Sequence, residues 1–129
     1  MILFWPDSFD EQLDRLEEKA DAGDERAELV LDYTIAAMDY LRGLPEPPTE
    51  DSLRLKEVRQ SGRHQVWRVA HPFHAGIAVR VICWFPPGQA TAVVALFSGD
   101  KANIGDIFYD SVGSRDDQIV DLWVAGQED

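Results

Sequence analysis

The sequence lacks several features that would assign it to a common class of protein. It has a single cysteine, Cys83, which excludes an internal disulfide framework and a thiolate metal cluster. A chain without disulfides is typical of a reducing, cytoplasmic environment. Its first residues, MILFWPD, have no positively charged leader and no apolar run longer than five residues. This start predicts a β-strand rather than a signal peptide or a transmembrane helix, and no membrane partner is expected.

Motifs for cofactor or metal chemistry are also missing from the sequence. There is no His–Cys cluster, no glycine-rich loop of the kind that holds phosphates, and no nucleophile elbow. We therefore expect no metal and no cofactor, and a small-molecule or metal enzyme is the last of the function classes to consider. With 129 residues and 45% hydrophobic content, residues 1–129 are expected to form one domain.

Charge is distributed very unevenly along the chain. The formal net charge is -12, which argues against a polyanionic partner for the protein as a whole. Residues 1–51 contain fifteen acidic and four basic residues, a net of -11, and residues 102–129 contain seven acidic and one basic residue, a net of -6. Residues 52–101 contain two acidic and seven basic residues, a net of +5. The middle of the sequence is therefore the place where an anion would bind.

The first part of the chain has the pattern of a helical hairpin. Ser8 and Glu11 have the spacing of a capping box, which predicts a helix from Ser8 to Gly23. Asp24 is expected to cap a second amphipathic helix, which Gly43 and the following prolines would end. The acidic residues of these helices are interpreted mainly as solvated surface, with metal ligation or nucleic-acid mimicry as less favoured alternatives.

The middle of the chain has the pattern of an antiparallel sheet. Residues 66–70, 77–85 and 90–97 are β-rich and are separated by short turns, which predicts a three-stranded meander. Near the carboxyl end, Ser114 and Asp117 have cap spacing and precede the apolar residues of a short helix. The expected fold class is α+β.

Two arginines lie inside the apolar strands of this predicted meander. Alternation places Arg80 on the same face as Ile82 and Trp84, and Arg68 lies on the preceding strand. A guanidinium among hydrophobic neighbours either forms an ion pair or lies on a surface that is open to water or to a ligand. A structural salt bridge and a ligand site both stay open as interpretations.

The order of these elements, together with particular residues, resembles a known family. The run Leu-Lys, Val-Trp-Arg-Val, Ala-Val-Arg-Val-Ile-Cys-Trp-Phe, Val-Val-Ala-Leu-Phe and Asp-Lys lies between Leu55 and Lys101. It resembles the RelE/ParE superfamily of toxins from type II toxin–antitoxin systems, nearer to the HigB-like and RelE-like branch, over residues 2–101. The resemblance implies an N-terminal strand and a helical hairpin packed on a small antiparallel sheet, followed by a short C-terminal helix.

The resemblance also implies an activity and partners. RelE-like toxins cleave mRNA on the ribosome and so inhibit translation, and a cognate antitoxin neutralises them. Matched to the motif, Arg68, Arg80 and Lys101 would stabilise the charge of the reacting phosphate, and Tyr109 would take part in proton transfer. The residues expected to bind RNA are Arg54, Lys56, Arg59, Arg63, His71 and His74.

A second hypothesis is a non-catalytic protein on the same scaffold. It would act by binding another protein, as the gyrase-inhibiting ParE branch does, or as a regulator. The acidic net charge, Asp100 at the position of a second cation, and the lack of a clear general base favour this alternative.

Overall fold

The computed structural model describes residues 1–104 and 112–127, and it has the α+β fold that the sequence predicts. Three long helices and a short one accompany a mixed sheet of five strands in these residues. In chain order the elements are β1 (Ile2–Phe4), α1 (Asp7–Asp21), α2 (Glu25–Arg42), β2 (Leu55–Glu57), β3 (Trp67–Ala70), β4 (Val79–Trp84), β5 (Ala92–Asp100), α3 (Lys101–Ile104) and α4 (Val112–Gln127). None of the described helices is both long and apolar enough to cross a membrane.

The sheet contains the predicted meander and one strand with a different direction. Its order is β1-β5-β4-β3-β2, and neighbours from β2 to β5 pair antiparallel. β1 pairs parallel with β5, with Ile2 opposite Ala92, so the expectation of an antiparallel sheet is wrong at this edge. A parallel pair needs a long crossover, and here the helical hairpin and β2 to β4 supply it.

The two helices of the hairpin begin differently from each other. The side chain of Asp24 accepts a hydrogen bond from the Ala27 N–H at 3.0 Å, so the predicted cap of α2 is confirmed. The predicted cap at Ser8 is wrong, because α1 begins at Asp7 and its N-cap is Pro6. The Pro6 carbonyl accepts from the N–H of Phe9 at 3.0 Å and starts the helix before the serine.

Different helices pack on the two faces of the sheet. The hairpin face is covered by α1 and α2: Gln12 of α1 contacts Ser98 of β5, and Arg26 of α2 forms an ion pair with Asp100. The opposite face, which we call the α4 face, is partly covered by α4. The guanidinium of Arg115 lies 4.0 Å from the centre of the Phe97 ring on this face.

Helix α4 is longer than the short helix that the sequence predicts. It has 16 residues, and Ser114 lies inside it rather than at its cap. Val112, Asp116 and Val120 follow a four-residue spacing and are fully buried, as expected for the helix stripe that meets the sheet. Near its other end, the Trp123 ring lies 5.9 Å from that of Phe4.

Candidate functional site

Three basic side chains share the α4 face in the part of the sheet formed by β2, β3 and β4. Lys56 pairs with Arg68, Arg68 pairs with Ile82, and Ala70 pairs with Arg80. Directly paired residues lie on the same face, and diagonal neighbours have Cα atoms about 7–8 Å apart. We call Lys56, Arg68 and Arg80 the cationic patch.

Within the described residues, Arg80 is held by backbone atoms and not by an acid. Its Nη1 donates to the carbonyl of Val79 at 3.0 Å and to that of His71 at 3.4 Å. Its Nε is buried and has no hydrogen-bond partner within the described part of the chain. The neighbours of Arg80 across the sheet are Ala70 and Gly99, which are too small to cover the guanidinium. The positive charge is therefore positioned, and no acid in residues 1–104 or 112–127 neutralises it.

Arg68 and Lys56 extend this positive charge toward the edge of the sheet. Both are partly exposed, and they lie directly opposite each other on adjacent strands. None of the ion pairs found in residues 1–104 and 112–127 involves a member of the cationic patch. Like charges in direct opposition destabilise a sheet. An anion bound between them would relieve that repulsion.

Asp100 does not oppose the cationic patch, although the residue before it, Gly99, pairs with Arg80. It pairs with Val79, whereas the neighbouring Gly99 pairs with Arg80, so the Asp100 side chain lies on the hairpin face. There its carboxylate binds Arg26 and accepts from the N–H of Ala78 at 2.9 Å and of Ala102 at 3.1 Å. Asp100 therefore links α2, β4 and α3.

Lys101 lies at the same end of the sheet as Arg80. Its backbone N–H donates to the Ala78 carbonyl at 2.8 Å, next to the start of β4. The chain therefore brings the third predicted catalytic cation to the end of the strand that carries Arg80. Tyr109, the predicted proton-transfer residue, lies outside the described residues.

Two of the predicted RNA-binding arginines, Arg54 and Arg59, lie outside the strands, on either side of β2. The guanidinium of Arg54 is 4.6 Å from the ring centre of Tyr40 in α2, so it packs toward the helical hairpin. Its Nε is buried, with no hydrogen-bond partner in the ranges that the structure covers. Arg59 is exposed in the loop that follows β2.

Arg63 belongs to a cluster that attaches α4 to the rest of the protein. Its guanidinium forms an ion pair with Asp121 and lies 3.6 Å from an Asp117 oxygen. Asp117 also accepts from the backbone N–H of Arg63 at 2.9 Å and of His64 at 3.1 Å. The His64 ring is 3.0 Å from an Asp121 oxygen. These hydrogen bonds and charges hold the pKa of both Asp117 and Asp121 below its usual value.

The two predicted histidines of the β3–β4 turn are held by Tyr33 of α2. The rings of His71 and Tyr33 are stacked at 4.2 Å with an angle of 8°. Nδ1 of His74 is 2.8 Å from the Tyr33 hydroxyl. Nδ1 of His71 is 2.9 Å from the Pro72 carbonyl oxygen. The turn is therefore fixed to the hairpin, and the imidazoles point away from the cationic patch.

Asp116 is a buried acid that the sequence analysis did not identify. It is 0% exposed, and one of its carboxylate oxygens, Oδ2, has no partner in the described residues. Burial, together with the neighbouring Asp117 charge, raises the pKa of Asp116 to about 6. The sequence does contain a signal for this burial. Asp116 lies four residues from both Val112 and Val120, on the apolar stripe of α4.

Close packing between the 58–66 loop and α4 accompanies this buried acid. A Cβ at Gly62 would lie 2.4 Å from an Asp117 oxygen and 2.6 Å from the Gly113 carbonyl. A Cβ at Gly113 would lie 2.6 Å from the Gln60 carbonyl. Both glycines are therefore needed for the close approach of the loop and the helix.

Comparisons of the chain with protein-family models, with curated proteins and with solved structures found no match in any of the three.

Within the described residues, no group of histidine, cysteine, aspartate and glutamate side chains is arranged to hold a metal ion. The thiol of the single cysteine, Cys83, is buried in β4, where desolvation raises its pKa and keeps it protonated.

Proposed function

We propose that this chain is a RelE-like toxin of a type II toxin–antitoxin system that cleaves mRNA on the ribosome. The observation that carries the proposal is the cationic patch, whose three charges have no acidic partner among the described residues. Positive charges that are held close together at a cost in stability are typical of sites that bind an anion. The backbone phosphates of RNA are such anions.

The order of the elements supports the same proposal. A first strand, a helical hairpin, an antiparallel meander and a C-terminal helix follow each other, as the resemblance to RelE-like toxins implies. The position of Asp100 on the hairpin face also removes one argument for a non-catalytic protein, because its carboxylate is bound to Arg26. Its negative charge does not face the cationic patch.

The chemistry of the proposed cleavage uses the RNA's own nucleophile. The ribose 2′-oxygen forms a bond to the adjacent phosphorus while the bond from phosphorus to the 5′-oxygen breaks. The 2′-hydroxyl loses its proton, the leaving 5′-oxygen gains one, and the products are a cyclic phosphate and a 5′-hydroxyl end. Negative charge grows on the non-bridging oxygens during this step, so guanidinium donors lower the barrier.

The roles of the basic residues follow from their positions. Arg80 is fixed by two backbone carbonyls and is proposed to contact the reacting phosphate. Arg68 would share that phosphate or hold the next one, and Lys56 would bind a phosphate further along the strand. Lys101 and Tyr109 keep the roles that the resemblance implies, in charge stabilisation and proton transfer.

The test is a translation reaction reconstituted from purified components, in which mRNA 5′ ends are mapped after the protein is added. We expect cuts that appear only in messages under translation and that disappear with Arg80→Ala. Arg42→Ala is the matched control, because Arg42 is an exposed arginine of α2 that pairs with Asp39, away from the patch. Intact mRNA at high concentrations of the folded protein, or equal cutting by the Arg80 variant, would refute the proposal.

A second candidate function is inhibition by protein binding on the same fold. It is favoured by the net charge of -11 in residues 1–51, which include the whole helical hairpin. In the same translation reaction, a binder that stops protein synthesis would leave mRNA uncut. Its effect would persist with Arg80→Ala and weaken when carboxylates of the hairpin are replaced.

A further inference from the structure

The turn between β3 and β4 carries an exposed aromatic ring. Phe73 is 67% exposed, which makes it the most exposed aromatic residue in the described part of the chain, and Phe4 follows at 41%. Several rings of the described residues contact one another, but none of these ring contacts involves Phe73. The ring of Phe73 is therefore accessible to a ligand that stacks on aromatic surfaces.

The turn that carries Phe73 is fixed to the protein on both sides of this residue. The His71 ring stacks on Tyr33 of α2 at 4.2 Å, and Nδ1 of His74 is 2.8 Å from the Tyr33 hydroxyl. His74 and Ile77 also exchange two backbone hydrogen bonds, at 3.0 and 3.1 Å, which close the turn. A ligand that contacts Phe73 would therefore meet a turn that is already ordered, and little entropy would be lost on binding.

The same turn borders the guanidinium of Arg80. Nη1 of Arg80 donates to the His71 carbonyl at 3.4 Å. Phe73 follows His71 by two residues, so the Cα atoms of these two residues are at most about 7 Å apart. An exposed ring therefore lies close to a cation of the cationic patch. A nucleotide joins an anionic phosphate to a flat base, and this pair of side chains offers one partner for each.

We propose that Phe73 is a base-stacking residue, on which one base of a single-stranded RNA lies while Arg80 holds a neighbouring phosphate. This inference rests on the proposed function, because it concerns the same RNA strand. Single-stranded RNA is commonly bound by aromatic side chains that stack on its bases, beside cations that follow its backbone. Every base has a flat face, so Phe73 would add affinity with little sequence preference. A duplex fits less well, because its bases already stack on each other.

The experiment compares two RNAs that differ only in their bases. The first probe is a fluorescein-labelled RNA of eight adenosines, and the second is an abasic RNA of the same length, which keeps every phosphate. Binding to the whole chain is measured by fluorescence anisotropy. We expect the wild-type protein to bind the adenosine RNA about tenfold more tightly, a typical contribution of one stacked base. In Phe73→Ala this preference should fall below twofold.

Further variants separate stacking from simple apolar contact. Phe73→Trp keeps an aromatic face and should keep the preference for adenosine RNA. Phe73→Leu keeps an apolar side chain without that face and should lose the preference. Leu122→Ala is the matched control, because Leu122 of α4 is 69% exposed and its loss should change neither affinity. Amide NMR spectra confirm that the variants are folded.

The salt dependence of binding distinguishes Phe73 from the cations. Phe73→Ala removes no phosphate contact, so the slope of log affinity against log salt concentration should not change. Arg80→Ala should reduce that slope by about 0.7, as expected for one lost phosphate contact to single-stranded RNA. A reduced slope in Phe73→Ala would overturn the stacking role.

The outcomes for Phe73 and Arg80 test this inference and the proposed function separately. If Arg80→Ala weakens RNA binding but Phe73→Ala or Phe73→Leu keeps the preference for adenosine RNA, the RNA site stands and the stacking role is refuted. Equal binding of both RNAs by the wild-type protein would refute that role too. An unchanged salt slope together with unchanged mRNA cleavage in Arg80→Ala would refute the proposed function, and this inference with it.

Discussion

Arg63 and Arg80 lie in the same basic segment of the sequence and have opposite surroundings in the fold. Arg63 is bound by two carboxylates of α4, and the resulting cluster attaches the helix to the 58–66 loop. Among residues 1–104 and 112–127, the partners of the Arg80 guanidinium are backbone carbonyls, and its buried Nε has no partner there. The first arginine attaches α4 to the rest of the protein, and the second is the one to which we assign a ligand in the proposed function.

The difference reduces the number of basic residues that would be available to the proposed RNA ligand. Of the seven basic residues in residues 52–101, Arg63 is neutralised by α4 and Arg54 packs on Tyr40. Net charge over a segment therefore overstates the anion site, because it counts cations whose partners come from elsewhere in the chain.

The cleavage rate should separate the two regions most clearly. Arg68→Ala should lower the rate of ribosome-dependent mRNA cleavage by about 100-fold, since loss of one oxyanion-type donor commonly has that effect. Arg63→Ala should change the rate less than threefold when the protein is kept below its melting temperature. Single-turnover primer extension on a stalled ribosome measures both. A similar loss in the two variants would mean that the contrast between the regions is false.

A larger residue at the contact between the 58–66 loop and α4 should weaken the attachment of α4 without changing the cationic patch. Gly62→Ala places a methyl group 2.4 Å from an Asp117 oxygen and should lower the free energy of unfolding by roughly 1–3 kcal/mol. The control is Gly126→Ala in α4. Its added methyl group would have no neighbour within 4 Å, so this change should be neutral or slightly stabilising. Urea unfolding measures both. Equal stabilities for the two variants would show that the loop and α4 are not closely packed.

The buried acid should give the α4 region a distinctive pH dependence. The pKa of Asp116 is about 6 in the folded protein and near 3.8 when exposed, so the folded state binds the proton more tightly. Its charge therefore destabilises the fold above pH 6, and this cost disappears below about pH 4. Asp116→Asn should raise the free energy of unfolding at pH 7.5 by at most about 3 kcal/mol, since each pKa unit corresponds to about 1.4 kcal/mol.

The gain from Asp116→Asn should shrink steadily as the pH falls from 6 to 4. Asp117 and Asp121 have lowered pKa values and so lose their stabilising effect as the pH falls, but they do so in both proteins. The difference between variant and wild type isolates Asp116. A difference that does not vary between pH 4 and pH 7.5 would contradict the raised pKa.

The smallest effect concerns the salt dependence of RNA binding. Each phosphate contact to single-stranded RNA adds about 0.7 to the slope of log affinity against log salt concentration. Lys56→Ala should reduce that slope by about 0.7, and Arg63→Ala should leave it unchanged. Filter binding of a uridine oligonucleotide between 50 and 200 mM salt is sufficient, and a reduction by both variants would place Arg63 in the RNA site.

Much of the fold was readable from local patterns. Asp24 and the residues that follow it specify a helix start by side-chain chemistry alone, and the meander follows from β-rich runs with short turns between them. The start of α1 was not readable in this way. Ser8 has the spacing of a cap, but the backbone after Pro6 already begins the helix, so the hydroxyl never takes that role.

Alternation and periodicity are local properties, so the sequence predicts the α+β class, the strands that carry Arg68 and Arg80, and the face on which Arg80 lies. Three features became apparent only in the folded protein: the parallel pairing of β1, the partners of Arg63 and the burial of Asp116. Each of these depends on contacts between residues far apart in the chain. A charge is neutralised when a group from a distant part of the chain lies next to it in the fold. Composition does not show which groups become neighbours.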